Sequence, residues 1–390
     1  MPRPLHRVGS SANVTKARDS EMPPIRREDG STLIVLGPGT IDNVGSELAE
    51  LGATRVYLVT GPSLASGRVG ARVRRAFGGL LVGTYARSRP HVPSETMDEV
   101  VREARSLRAD VLVGLGGGSP IGTAKAAAFR LQQLGGSGPP VPCIVAAIPT
   151  TYSGSEVTPV FGTTDLERHR KSVLRSDLVR PRLALYDPEL ALDTPPDLSA
   201  STGVNALAHC VEAGYARDLN PVVRPVALEG LRHIARSLPL CVAAGDDIEA
   251  REDLLLGAYL AGFSIANATM ALHHGLCHVL GGRTGIAHGV VNAILLPHVM
   301  TFNADAVPDA MSAIADAMDA GARTRDIGAA PRAVAALVAT LPVPKRLREA
   351  GVSEDMLASL AAEAAANQTI KANPKPVSEA DLVQLLRSAW

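Results

Sequence analysis

The chain carries no surplus of charge: 39 Lys and Arg balance 39 Asp and Glu across 390 residues. Nothing in the composition therefore favours a polyanionic partner such as nucleic acid. Cysteine is scarce, with Cys143, Cys210, Cys241 and Cys277 in apolar or small-residue contexts and no CxxC spacing, which argues against a disulfide scaffold and suits a reducing cytoplasm. No stretch approaches the roughly 18 uninterrupted apolar residues that a membrane helix needs. The opening MPRPLHRVGSSANVTKARDSEMPPIRREDG holds no apolar run of signal-peptide length. Residues 1–30 read as a disordered leader, and the protein is expected to be cytoplasmic, with no membrane partner.

What the chain does have is 46% hydrophobic residues, enough for two cores. From Thr32 short apolar runs (TLIVL, RVYLVT, LVGTY, DVLVGL, CIVAAI) alternate with helical stretches, the pattern of parallel βαβ units. After LALYDPEL the strand signal ends. The remainder is Ala/Leu-rich with helical spacing, as at Leu228, Leu231, Ile234 and Leu238, and is broken by prolines such as Pro239 and Pro297. The expected architecture is an open α/β domain over 31–190 with a parallel sheet, then an all-α domain over 191–390. The proline-rich DPELALDTPPDLSA marks the boundary, and the site lies in the cleft between the two.

Chemistry concentrates in three places. Asn205 and His209 stand four apart in STGVNALAHCVEA, and His274 and His278 four apart in ALHHGLCHVLGG, with His288 in GIAHG. Four-residue spacing places each pair on one helix face, and five of the ten histidines fall within Ala271–Met300. A lone buried histidine is more often core than ligand, but the clustering favours a site. A site with several histidines normally carries a carboxylate to offset a divalent metal, and here the residue four before His209 is the neutral Asn205. Cys277 beside His278 is discounted as a nucleophile pair, because adjacent helical residues point about a hundred degrees apart.

The second place is VLVGLGGGSPIGTAK, where Gly117, Gly118 and Ser119 join a strand to a helix; backbone N–H groups and the helix N-terminus there suit a pyrophosphate. It matches neither GxxxxGK[ST] nor an ordinary Rossmann fingerprint. The third is IPTTYSGSEVTP, whose Thr150, Thr151, Ser153 and Ser155 follow the next strand, where ligands of open α/β sheets bind.

Together GGGSPIGTAK, IPTTYSGSE, LYDPEL, GVNALAHCVEA, HHGLCHVLGG and HGVVNAILLPHV resemble the iron-containing alcohol dehydrogenase superfamily from about Thr32 onward. The resemblance implies that the α/β domain is dinucleotide-binding, with a nicotinamide cofactor, NADH or NADPH, a small-molecule substrate and a homodimer. Metal-dependent relatives use an aspartate and three histidines; by motif those positions are Asn205, His209, His274 and His288, so the anionic ligand is missing and no metal is expected. That departure, with Gly122 where metal-dependent relatives carry an aspartate, resembles the maleylacetate reductase branch. The implied reaction is metal-free reduction of the carbon–carbon double bond of maleylacetate to 3-oxoadipate. The chain departs from the branch at Gly275, Thr284 and Gly285, positions expected on the substrate side.

Within that resemblance His209 and His274, with Asn205 as a hydrogen-bond donor, would stabilise the enolate oxygen. His278 would supply the proton, and His288 completes the set. For a dicarboxylate, Arg283 and Lys171 are the candidate cations, with Tyr152 and His273 as further substrate contacts and Lys171 also beside the cofactor. Arg175 reads as an ordinary surface charge. Gly61, at the end of RVYLVT, stands where NAD-selective relatives place an aspartate, so both cofactors are expected, with NADPH tolerated rather than selected. The nearest alternative is an alcohol dehydrogenase or carbonyl reductase of the same superfamily, with metal. A lyase resembling dehydroquinate synthase and a non-catalytic binding protein fit the residues less well.

Overall fold

The computed structural model describes residues 24–134, 143–167, 170–218, 220–319 and 326–390, with the side chains of Arg170 and Lys171 outside the described set. Nine strands form: β1 (Ile25–Asp29), β2 (Thr32–Leu36), β3 (Val56–Thr60), β4 (Leu81–Tyr85), β5 (Val111–Gly116), β6 (Ile144–Pro149), β7 (Val160–Asp165), β8 (Arg170–Arg175) and β9 (Leu183–Tyr186). Seven make one sheet in the order β1-β2-β9-β6-β5-β3-β4. Its neighbours run parallel except β1 and β2. The continuous apolar runs read from the sequence are buried along their whole length in β2, β3, β5 and β9, as expected when helices cover both faces of a parallel sheet.

Helices α1 (Val44–Glu50), α2 (Pro62–Ser66), α3 (Arg68–Phe77), α4 (Ser94–Ser106) and α5 (Gly118–Gln133) accompany the strands. Val44, Leu48, Val73 and Phe77 of α1 and α3 share one core with the sheet, and Val100, Ala104, Ala124 and Ala128 of α4 and α5 share another. Beyond β9 the described chain is helical: α6 (Pro196–Gly214), α7 (Val223–Ala243), α8 (Ile248–Ala266), α9 (Leu272–Thr284), α10 (His288–Asn303), α11 (Pro308–Ala317), α12 (Ala329–Thr340), α13 (Met356–Ala365) and α14 (Glu379–Ala389). None of these helices is long and apolar enough to cross a membrane.

Three expectations change. Residues 1–23 of the expected leader lie outside the described residues, but Ile25–Asp29 forms β1, paired antiparallel with β2. Its charged IRRED sequence hid it, since an exposed edge strand needs no apolar alternation and is protected by charge. A hairpin, β7 with β8, also went unread; its Val173 and Leu174 are exposed, so burial did not pattern its sequence. Pro239 and Pro297 do not break helices but lie inside α7 and α10, where burial of flanking apolar residues outweighs the lost backbone bond.

One buried cation joins the two halves. Arg251 of α8 is fully buried and donates to Tyr152 Oη at 2.7 Å, Ser199 Oγ at 2.7 Å, the Gly245 carbonyl at 3.1 Å and the Thr194 carbonyl at 3.2 Å. It thus pins the segment after β6 to the start of α6.

Helix α5 lies against β5 at the shortest distance glycine allows: a Cβ on Gly114 would sit 2.6 Å from Ile121 Cα and 3.0 Å from Ile121 N. Gly114→Ala is expected to destabilise the protein by about 1–3 kcal/mol in urea denaturation, the usual cost of overpacking. It should also weaken NADH binding, because the helix end it displaces carries the phosphate loop; unaltered stability and binding would refute this account of the packing.

Candidate active site

The carboxyl ends of β3, β5 and β6 face the helical half across a cavity of about 1020 Å³. At the end of β5, Gly116 takes φ +130° and the chain turns through Gly117 into α5, whose first residues Gly118, Ser119 and Pro120 line the cleft. A Cβ on Gly117 would lie 3.0 Å from Thr151 Oγ1, and one on Gly118 3.5 Å from Ser153 Cβ. The two strand ends therefore close on one another, and only glycine leaves room for an anion between them. Gly117, Gly118, Ser119, Thr150, Thr151, Ser153 and Ser155 all line the cavity, as expected. Gly61, expected at the cofactor, follows β3 and caps α2 but is not among the residues lining the cavity, whose wall there is formed by Ser63, Leu64, Gly67 and Arg68.

The loop after β6, whose Glu156 the sequence groups with Thr150, Thr151, Ser153 and Ser155, is held from beneath by that residue and by Lys125, which sequence reasoning missed. Lys125 of α5 is fully buried and its Nζ donates to the carbonyls of Ser155, Thr158 (2.7 Å) and Val160 (3.1 Å). Glu156, also fully buried, accepts from Ser153 Oγ at 3.1 Å and Gly154 N at 3.2 Å. Burial lowers the Lys125 ammonium to about 7 and raises the Glu156 carboxyl to about 7, each opposing the other. A lysine among alanines in GTAKAAA was the signal for this buried role.

On the helical side, α6 presents Asn205 and His209, α9 presents His274 and His278, and α10 opens with His288; all five line the cavity. The rings of His209 and His274 stack with centroids 4.8 Å apart, and those of His278 and His288 at 5.7 Å; His274 lies 6.4 Å from His278 and 6.0 Å from His288. Burial, reinforced by neighbouring imidazoles, pushes His209 well below the ordinary histidine range and His274 down to about 3. Both rings are therefore neutral in the open cleft.

Sequence reasoning missed the residue that orients this cluster. Glu212, fully buried one turn beyond His209, accepts from His274 Nδ1 at 2.7 Å and from the backbone N–H groups of Ala271, His273 and His274 at 3.3, 2.9 and 3.3 Å. It satisfies the N-terminus of α9 with a negative charge and fixes the proton of neutral His274 on Nδ1. Nε2 of His274 is left buried with no partner. Burial raises the Glu212 carboxyl and the three backbone N–H groups oppose that shift. A glutamate in the otherwise apolar HCVEA, three residues after His209, was the available clue.

Several expected substrate contacts lie elsewhere. Tyr152 is fully buried with its hydroxyl on Arg251, so it belongs to the junction between the halves. His273 is equally buried, 3.3 Å from the Asn292 carbonyl and 3.4 Å from His274 Nδ1. It backs His274 rather than facing the cavity. Arg283, in the last turn of α9, pairs with Glu363 at 3.0 Å on the surface. Lys171 lies on β8 opposite Thr164, and its side chain is outside the described residues. Arg175, read as a surface charge, instead lines the cavity, its guanidinium donating to the Ala266 carbonyl at 3.1 Å. Gly275 faces Ile370, where a Cβ would meet Cγ1 at 2.4 Å. Neither Gly275 nor Thr284 nor Gly285 lines the cavity.

One N–H of Asn205 Nδ2 donates to the Ser153 carbonyl at 3.3 Å, and its Oδ1 is buried without a partner. The glycine turn, the helix N-terminus and the row of hydroxyls fit a dinucleotide pyrophosphate. The set Asn205, His209, His274 and His288 offers a divalent cation one amide oxygen and three neutral imidazoles, with no carboxylate in the set to offset its charge. Glu212, the nearby anion, is already committed to four N–H groups.

Comparison with known proteins agrees with this geometry. Residues 31–188 match the family model for iron-containing alcohol dehydrogenase, and 199–390 that for the C-terminal part of the Fe-containing alcohol dehydrogenase family. The chain is 37% identical over 356 residues to a maleylacetate reductase of Sphingobium indicum, covering 91% of this chain and 94% of that protein. It is 37% identical over 362 residues to maleylacetate reductase 1 of Rhodococcus opacus, covering 92% and 94%. The crystal structure of maleylacetate reductase from Agrobacterium tumefaciens superposes with a TM-score of 0.82 at 34% identity, covering 95% of this chain and 99% of that one. With its phosphate loop, its imidazole cluster and these matches along both halves, the chain belongs to the iron-containing alcohol dehydrogenase family.

Proposed function

We propose that the protein is an NAD(P)H-dependent maleylacetate reductase that reduces the carbon–carbon double bond of its substrate, giving 3-oxoadipate, and that it works without a metal ion. The neutral donor set carries this reading. An asparagine replaces the anionic ligand at the position where metal-dependent relatives place an aspartate, in a chain whose matched relatives include maleylacetate reductases over nine-tenths of its length.

When bound, the nicotinamide cofactor supplies a hydride for the carbon β to the ketone. Gly117, Gly118 and Ser119 hold its pyrophosphate, with Thr150, Thr151, Ser153 and Ser155 along its path. The chain must then stabilise the enolate oxygen and deliver one proton to the adjacent carbon. His274 suits either task once Nε2 has taken a proton from solvent as the substrate binds. The imidazolium keeps its Nδ1 proton on the Glu212 carboxylate and can donate the Nε2 proton to the enolate oxygen or give it up to the adjacent carbon. A substrate dianion in the cleft favours that charged form, opposing the burial that keeps the ring neutral beforehand. His209, stacked on His274, lies beside the developing charge, and His278 with His288 completes the wall. Arg175 offers a guanidinium to a substrate carboxylate.

Chelator-treated protein is expected to oxidise NADH rapidly when given maleylacetate and not without it. No oxidation, in protein shown to bind NADH, would move the substrate elsewhere and favour an alcohol dehydrogenase reaction. His274→Ala should lower kcat by about 10²–10⁴-fold, the scale of losing an acid or an oxyanion partner, and unchanged turnover would remove His274 from the mechanism. Arg175→Ala should raise KM for maleylacetate by about tenfold with a smaller effect on kcat; an equal rise in KM for NADH would assign Arg175 to the cofactor instead.

A further inference from the structure

If the cleft holds a nicotinamide dinucleotide, as the reading above requires, the fold fixes the direction in which it lies. The phosphate loop follows β5, whose two neighbours are β6 and β3. The loop after β6 leads to the imidazoles, which makes that side the reacting end. The adenosine end therefore runs the other way, toward the end of β3. In nucleotide-binding α/β units the adenosine ribose reaches the end of the strand beside the phosphate-loop strand. Here that end is Gly61, where an added Cβ would meet only the Ser88 carbonyl at 4.0 Å. No carboxylate stands there to accept from ribose hydroxyls or to repel a 2′-phosphate.

The cavity wall continues through Ser63, Leu64 and Gly67 to Arg68, the first residue of α3. From across the cleft Asp193 meets it side-on, with Nε to Oδ2 and Nη2 to Oδ1 both at 2.6 Å. Among the described residues lining the cavity, Arg68 and Arg175 are the only permanent cations and Asp193 is the only carboxylate. Arg175, at the end of β8, donates to the Ala266 carbonyl of the helical half, whereas Arg68 and Asp193 adjoin the wall that follows β3 and are the charged groups assigned to the adenosine end. Arg68 is 68% exposed and Asp193 49%, so the guanidinium can turn without unpacking the core.

We propose that Arg68 and Asp193 together select the cofactor. Arg68 turns from Asp193 to the 2′-phosphate of NADPH, and Asp193 opposes that phosphate by repulsion and by competing for the guanidinium. The pair balances two effects of opposite sign, so it leaves both cofactors usable and gives each variant a distinct signature.

The test follows nicotinamide fluorescence as wild type, Arg68→Ala and Asp193→Asn are titrated with NADH and with NADPH. The quantity read is the ratio of Kd for NADPH to Kd for NADH. Arg68→Ala is expected to raise that ratio about tenfold, the scale of one charge-assisted contact, and Asp193→Asn to lower it by a similar factor. Opposite shifts in the two variants are the signature, since general damage to the cleft would move both cofactors together. A ratio within about twofold of wild type in both variants would overturn the proposal while leaving the dinucleotide reading intact. Wild-type protein that binds neither cofactor would overturn both.

Discussion

Glu212 is a carboxylate buried without water, and the shape of the helical face of the cleft depends on it. Four N–H groups converge on its two oxygens: three from the opening turn of α9 and one from the imidazole of His274. The start of α9 would otherwise leave those backbone donors unpaired in the core, at about 1–3 kcal/mol each. By satisfying them Glu212 ties the start of α9 to α6, the two helices whose His274 and His209 rings stack. One charge thus orients a helix end and a ring together.

The cofactor face is organised by a comparable buried charge. Lys125 gathers the carbonyls after β6, and Glu156 ties back Ser153 and Gly154. The hydroxyls on this loop keep their positions because the groups beneath them have no solvent to move into. Gly114 lets the helix bearing Lys125 lie directly on β5, so helix, loop and strand end form one rigid unit.

Much of this was legible in the sequence. Apolar runs alternating with helices gave the parallel sheet, and four-residue spacing correctly brought Asn205, His209, His274 and His278 to one wall. The glycine turn and TTYSGS loop also met as expected. What escaped were groups whose roles depend on contacts distant in sequence. Glu212 and Lys125 look like ordinary charges until a helix end or a loop, 59 and 30 positions away, is folded against them. The assignments of Arg283 and Arg175 were exchanged because cleft and surface positions of a helix or hairpin carry similar residues. β1 escaped because an edge strand obeys no burial pattern.

The two cationic ties across the cleft differ in what surrounds them, and this gives the molecule a direction of opening. Arg251 sits where water does not reach, and pulling the segment after β6 from α6 would strip it of hydroxyl and carbonyl acceptors, at about 3–5 kcal/mol by analogy with breaking a buried charged contact. The Arg68–Asp193 tie lies in solvent, where water replaces either partner as it leaves. The Arg251 side therefore behaves as the spine of a book and the Arg68 side as its fore-edge.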